Sequence, residues 1–267
     1  MTTNVTSVAK GEPPQYTIWQ ILGVWAAAAL PGGILAWVVT PLVGPIAGSL
    51  VNTRFIMITI GLIWEFLFVL VMVRREAGNL RWSTVWQRLW LTTPRNPTTG
   101  KPQARLWWWA LPFVILFALN NSPLSPGNYL NDLWVKALPF FNETQATNLS
   151  LYLTSHKADL VGAWWFLALF LVSALFNTVL GEELLFRGLL LPRMQGVFGR
   201  WDWIVNAIIF GFYHLTEPWN IPGSIVAGLL FAWPSRRFRS SWMGIVIHSA
   251  QSVFLGVLIL GIVLGKA

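Results

Sequence analysis

Between residues 55 and 73 the chain meets no charge except Glu65, and comparable apolar runs recur at 16–39 and 242–264. A helix needs roughly 20 such residues to cross the hydrocarbon of a bilayer. Backbone inside hydrocarbon must satisfy its own hydrogen bonds, so runs of this length and spacing are expected to fold as helices. Composition points the same way: 10% of residues are charged and mean hydropathy is +0.58, whereas a soluble domain carries about 25% charged residues. The expected fold class is all-α, a polytopic transmembrane helical bundle. Many of the 18 tryptophans flank apolar runs, where amphipathic rings favour the headgroup level.

About seven spans are expected: 16–39, 55–73, 106–119, a segment from 160 onward, 201–214, 221–233 and 242–264. Pro31-Gly32-Gly33 should kink the first. Residues 1–15 read as a polar tail, without the basic, apolar and small-residue order of a cleaved signal peptide. Residues 16–159 read as N-terminal membrane helices, an interfacial helix at 81–91 and an outer loop at 120–159. Residues 160–267 read as the membrane core, with the site in the last four spans. Glu65 is expected as a polar tie between helices or as a partner of that site.

Basic residues alternate between the loops. Arg74, Arg75, Arg81, Arg88, Arg95, Lys101 and Arg105 follow the second span; Arg193 and Arg200 follow the fourth; Arg236, Arg237 and Arg239 follow the sixth. The loop at 120–159 holds only Lys136 and Lys157. By the positive-inside rule this places the N-terminus in the cytoplasm of a multi-pass cell-membrane protein. The net charge of +8 is thereby explained by topology and anionic lipid, and a nucleic-acid partner is excluded. With no cysteine, disulfides, a thiolate nucleophile and a cysteine metal site are excluded too.

The stretch Gly181-Glu182-Glu183-Leu184-Leu185-Phe186-Arg187-Gly188 sets two carboxylates and an arginine inside an apolar run. Ionisable residues at membrane depth are costly and mark function by default. At 1.5 Å per helical residue, Glu182 lies roughly 16 Å from Arg193, His214 roughly 21 Å from Arg200 and His248 roughly 13 Å from Arg239. Three helices thus carry their odd polar residue at matched depth, which predicts one shared site opening to the cytoplasmic side. Glu183 and Arg187, at i and i+4, can pair. Glu182, turned by about 100°, is left without a local cation and should face the cavity. His214 shares a face with Phe210 and Asn206, and His248 with Ser252.

Two histidines and a glutamate match a catalytic zinc set of Glu182, His214 and His248. They equally match a metal-free pair that activates water, with a separate oxyanion donor. Other intramembrane hydrolase patterns do not fit. There is no His-Glu-x-x-His helix and no pair of membrane aspartates, Asp202 standing alone at an edge. His156 reads as a solvated loop residue.

Glu182-Glu183-x-x-x-Arg187, then Phe210-x-x-x-His214, then His248 in a later helix resemble the successive motifs of the CPBP family. That family comprises the CAAX prenyl endopeptidases and their bacterial abortive-infection and bacteriocin-processing relatives. The resemblance covers about 160–264. It implies an intramembrane peptidase, a hydrolase acting on a membrane-associated or lipidated peptide or protein. Carried over by motif, Glu182 and His214 would activate water and His248 would stabilise the oxyanion. Glu183 and Arg187 would shape the site. A metal-free glutamate mechanism is favoured over zinc, and membrane lipids are the other partner. Ser252 stands where the family pattern has Asn or Asp, a departure that favours the alternative of a non-catalytic immunity or scaffold protein on the same fold.

Overall fold

The computed structural model describes residues 13–122, 125–143 and 149–266. Residues 1–12 of the polar tail lie outside them. Among the described residues the chain is all-helical, with one isolated bridge between Arg95 and Pro102. Four helices are long and apolar enough to cross a membrane: α1 (Ile18–Val43), α2 (Leu50–Ala77), α7 (Trp164–Arg193) and α10 (Ser241–Val263). Between them lie α3 (Trp82–Arg88), α4 (Ala104–Asn120), α5 (Pro126–Ala137), α6 (Leu149–Ser155), α8 (Asp202–Tyr213) and α9 (Ile221–Phe238). The expected count of about seven spans would need α4, α8 and α9. They are present, but each is shorter or less apolar than a full crossing requires.

Local chemistry sets the helix starts. Thr17 caps α1 in a reciprocal box with Gln20, and Ser49 caps α2 by accepting from the Asn52 amide at 3.2 Å. Each such cap satisfies amides that have no partner inside the helix. Pro31 does not end α1; the helix runs through it and loosens into a π-helical stretch at Leu35–Val39. The outer loop is not structureless, since α5 and α6 lie in it.

The segment 184–194 forms the centre of the bundle, and Leu185, Phe186, Leu189, Leu190, Leu191 and Met194 have no exposed surface. Val69 and Val73 of α2, Phe210 of α8, Phe231 of α9 and Met243 and Ile247 of α10 pack around it. A second apolar cluster joins Phe166 and Phe170 of α7 to Ile259 and Ile262 of α10. Large apolar side chains such as Leu67, Trp108, Phe254 and Val257 cover the outside. In hydrocarbon that surface is an ordinary lipid-facing one. The chain is a membrane protein.

The expected interfacial helix is present as α3. Its apolar stripe is divided: Val85 and Leu89 are buried against the bundle, while Trp82 is 72% exposed.

Hydrogen bonds sort the helix ends into two faces. On one, Arg193 pairs with Glu76 at 2.6 Å, Tyr16 donates its amide to Arg193 and its hydroxyl to Glu76. On that face Arg95 donates to the Phe238 carbonyl and Ser241 to that of Trp90, and Arg236 pairs with Asp202. Asp202, expected alone, is thus a buried ion-pair partner. On the other face Asn131 donates to Asn220 at 2.8 Å, Trp134 to the Pro218 carbonyl at 2.9 Å and Gly162 to Val263 at 2.8 Å. The arginine-rich loops lie on the first face and the outer loop on the second. The Arg193 guanidinium is fully buried, so removing its partner leaves an uncompensated charge. We expect Glu76→Ala to destabilise the detergent-solubilised protein by about 3–5 kcal/mol, read as a fall in thermal midpoint against the wild-type chain.

Candidate active site

The two glutamates sit at the one α-helical step of a segment that is otherwise π-helical. Phe176–Gly181 and Leu184–Leu190 are both wide π turns. Such turns are rare in helices and concentrate at functional sites. The first follows from a close approach. A Cβ on Gly181 would stand 3.1 Å from the Leu62 carbonyl of α2 and would collide with the Phe176 carbonyl. Glycine therefore lets α7 lie against α2, next to Glu65. The expected tilt or break in a segment longer than one span is realised as these π turns in a continuous helix.

Glu183 points into the packed centre and is fully buried. Its Oε1 accepts from Arg187 Nη1 at 3.0 Å and lies 3.1 Å from His248 Nδ1. Arg187 is buried as well. It lies 4.1 Å from the centre of the Phe210 ring, and its second terminal nitrogen reaches the Gly228 carbonyl at 3.4 Å. The expected Glu183–Arg187 tie within α7 is present, and it extends to α10 through His248. Space for it comes from Gly244, where a Cβ would collide with Glu183 Oε2 and stand 3.2 Å from Arg187 Cγ.

Glu182 faces the other way, into a cavity of about 320 Å³. With its amide nitrogen turned to the carboxylate, Asn177 donates to both Glu182 oxygens at 2.8 and 3.0 Å. His214, just past the end of α8, lines the same cavity, and its Nδ1 lies 2.9 Å from the Phe210 carbonyl. A carbonyl only accepts, so the Nδ1 hydrogen is fixed there and the Nε2 lone pair of the neutral ring is free. His248 lines the cavity too, stacked on Phe231 with ring centres 4.7 Å apart. Ser252 and its neighbour Gln251 complete that wall. Phe210 links the parts: its ring carries Arg187 and its carbonyl orients His214.

Asn206, on the expected face of His214, does not reach the cavity. It donates to the Phe186 carbonyl at 2.9 Å. His156 is exposed and stacks on Tyr152.

Other residues join the lining, Glu65 as expected and several that were not foreseen. Glu65, 1% exposed, accepts from the Tyr213 hydroxyl, while its Oε2 is unpartnered and the side chain lines the cavity. It is both a tie between helices and a neighbour of the site. Arg54, Asn177, Tyr213 and Glu217 also line it. A polar residue in an apolar run was the signal for Asn177, as it was for Glu65, whereas Arg54 and Glu217 lie in polar stretches that carry no such signal.

The expected opening toward the basic face is not what the lining shows. Asn120, Asn121, Asn128, Asn131 and Asn220 of the opposite face contribute to the cavity, and no arginine of the arginine-rich loops does. The packed segment 184–194 fills the space on the basic side.

Among the described residues no group of three or more His, Cys, Asp or Glu side chains is placed to hold a metal ion. The Nδ1 atoms of His214 and His248 are engaged by the Phe210 carbonyl and the Glu183 carboxylate, which leaves Nε2 as the available ring nitrogen of each.

Because Gly244 is what admits Glu183, Gly244→Ala is expected to cost about 1–3 kcal/mol through overpacking. The check is a thermal midpoint in detergent, with Gly256→Ala as a control where a Cβ meets only Phe170 at 3.5 Å.

No curated protein and no solved structure matches the chain. Residues 163–254, which hold Glu182, Glu183, Arg187, Phe210, His214, His248 and Ser252, match the family model described as type II CAAX prenyl endopeptidase Rce1-like, in agreement with the CPBP resemblance that the motifs carry.

Proposed function

We propose that the chain is an intramembrane endopeptidase that hydrolyses a peptide bond of a membrane-associated or lipidated protein by a metal-free glutamate mechanism. One observation carries the reading: of two adjacent glutamates, Glu183 is consumed by Arg187 and His248, while Glu182 opens on a cavity with the unengaged face of His214. The likeness of 163–254 to the type II CAAX prenyl endopeptidases supports the reaction class.

In this mechanism a water in the cavity gives a proton to Glu182, aided by the Nε2 lone pair of His214. The hydroxide attacks the carbonyl carbon of the scissile bond. His248, carrying a hydrogen on each ring nitrogen as an imidazolium, donates to the developing oxyanion from Nε2 while Glu183 takes its Nδ1 hydrogen. Collapse breaks the C–N bond, and the proton held by Glu182 passes to the leaving amine. Asn177 orients the Glu182 carboxylate throughout. Ser252, in the place of the family's Asn or Asp, offers a shorter donor, and the Gln251 amide beside it lines the same cavity.

His214→Ala is expected to abolish cleavage, and His248→Ala to slow it about 100- to 1000-fold. Mass spectrometry of membranes expressing each chain reads the products: those that accumulate with wild type should be absent with the first variant and strongly reduced with the second. Purified wild-type protein reconstituted in liposomes should release the same products after dialysis against chelator. Loss of activity there, restored by zinc, would reject the metal-free mechanism.

The Ser252 departure favours a second reading, a non-catalytic immunity or scaffold protein on this fold. It predicts that His214→Ala keeps full biological function.

A further inference from the structure

The cavity reaches from the middle of the bundle to one face. Its walls come from residues 51–65 of α2, 170–182 of α7, the last turn of α8, residues 223–231 of α9 and 248–255 of α10, with α4 and α5 at the rim. Every one of these meets the face that carries the outer loop. Asn131 of α5 spans the rim there, donating to Asn220 at 2.8 Å and accepting from the Gly223 amide at 2.7 Å. Arg54 anchors the far rim through the carbonyls of Ala36, at 2.9 Å, and Thr216.

The other half is closed. Below Glu182 the side chains of Leu185, Phe186, Leu189 and Leu190 have no exposed surface, and neither do Phe231 of α9 and Ile247 of α10. Among the described residues, this buried layer stands between the arginine-rich loops and Glu182. Close-packed interiors leave few voids large enough for water.

Charge then orients the molecule. The closed face carries Arg74 to Arg105, Arg193, Arg200 and Arg236 to Arg239, whereas the open face has Lys136, Lys157 and Lys266 besides the buried Arg54. Lys and Arg of short loops are retained in the cytoplasm. We infer that the cavity is entered from the extracytoplasmic face, so the site takes its peptide from a membrane-anchored chain whose scissile segment lies on that side. The word "peptide" rests on the proposed peptidase function; the side of entry does not.

Since the chain has no cysteine, each introduced cysteine reports alone. Ser224→Cys and Ser252→Cys mark the cavity, Asp132→Cys the open face and Thr98→Cys the arginine-rich face, the last two being exposed. The chains are expressed in a bacterial inner membrane, and spheroplasts are treated with a membrane-impermeant methanethiosulfonate before and after lysis. The expected result is that Asp132→Cys and both cavity variants label to the same extent before and after lysis, and that Thr98→Cys labels only after it. Cavity cysteines that follow Thr98→Cys would overturn the inference. So would labelling of Asp132→Cys only after lysis, or cavity cysteines that stay unlabelled in both states. The near-isosteric serine substitutions are made at two sites, so one misfolded variant leaves the other to decide. Cleavage plays no part in the readout, so failure of the peptidase reading would leave these labels unchanged.

Discussion

A carboxylate buried in the packed centre of a membrane bundle has to be paired, and Glu183 is the residue on which this bundle converges. Its oxygen receives Arg187 from its own helix and His248 from α10, and Gly244 of α10 supplies the room. Arg187 in turn rests on Phe210 of α8 and reaches the Gly228 carbonyl of α9. One charge thus ties together α7, α8 and α10, which carry the motifs, and α9, which does not. A lone buried ion would cost several kcal/mol, and only a closed set of partners offsets that. The arrangement also fixes the His248 ring, since a carboxylate on Nδ1 decides which nitrogen faces the cavity.

With Glu183 engaged, Glu182 can be different. The pair sits at an α-helical step between two π turns, and the turn of about 100° between adjacent residues sends Glu182 to the cavity and Glu183 to the packing. Asn177 then serves as a partner five residues back, a spacing that suits a π turn and not an α-helix. His214 is oriented independently, by the carbonyl of Phe210. The FxxxH spacing matters because the i−4 carbonyl is the one a histidine just past a helix end can reach. Each member of the site is held by an interaction that leaves its outward atom free.

Much of this was legible in the sequence. The apolar runs gave the helices, and i,i+4 spacing gave the Glu183–Arg187 pair. Depth arithmetic brought Glu182, His214 and His248 together from three helices. What escaped it needed three-dimensional packing. An α-helical period cannot show the π turns, so Asn177 went unread. Glu65 and Tyr213 meet across α2 and α8, a contact that no spacing in the sequence shows. The side of the opening escaped as well, because distance from a basic edge gives depth and does not say which half of the bundle is filled. The leucines of 184–191 fill it, and the asparagines of the outer loop and neighbouring turns line the other half.

The central claim is that adjacent glutamates have separate work, Glu183 holding the bundle and Glu182 acting on water. The direct measurement takes Glu182→Gln and Glu183→Gln side by side, each read for thermal midpoint in detergent and for product release from the same membranes. The account predicts that Glu182→Gln keeps the wild-type midpoint and releases no product, while Glu183→Gln loses about 3–5 kcal/mol of stability. Product release at the wild-type rate by Glu182→Gln, or an unchanged midpoint in Glu183→Gln, would contradict it.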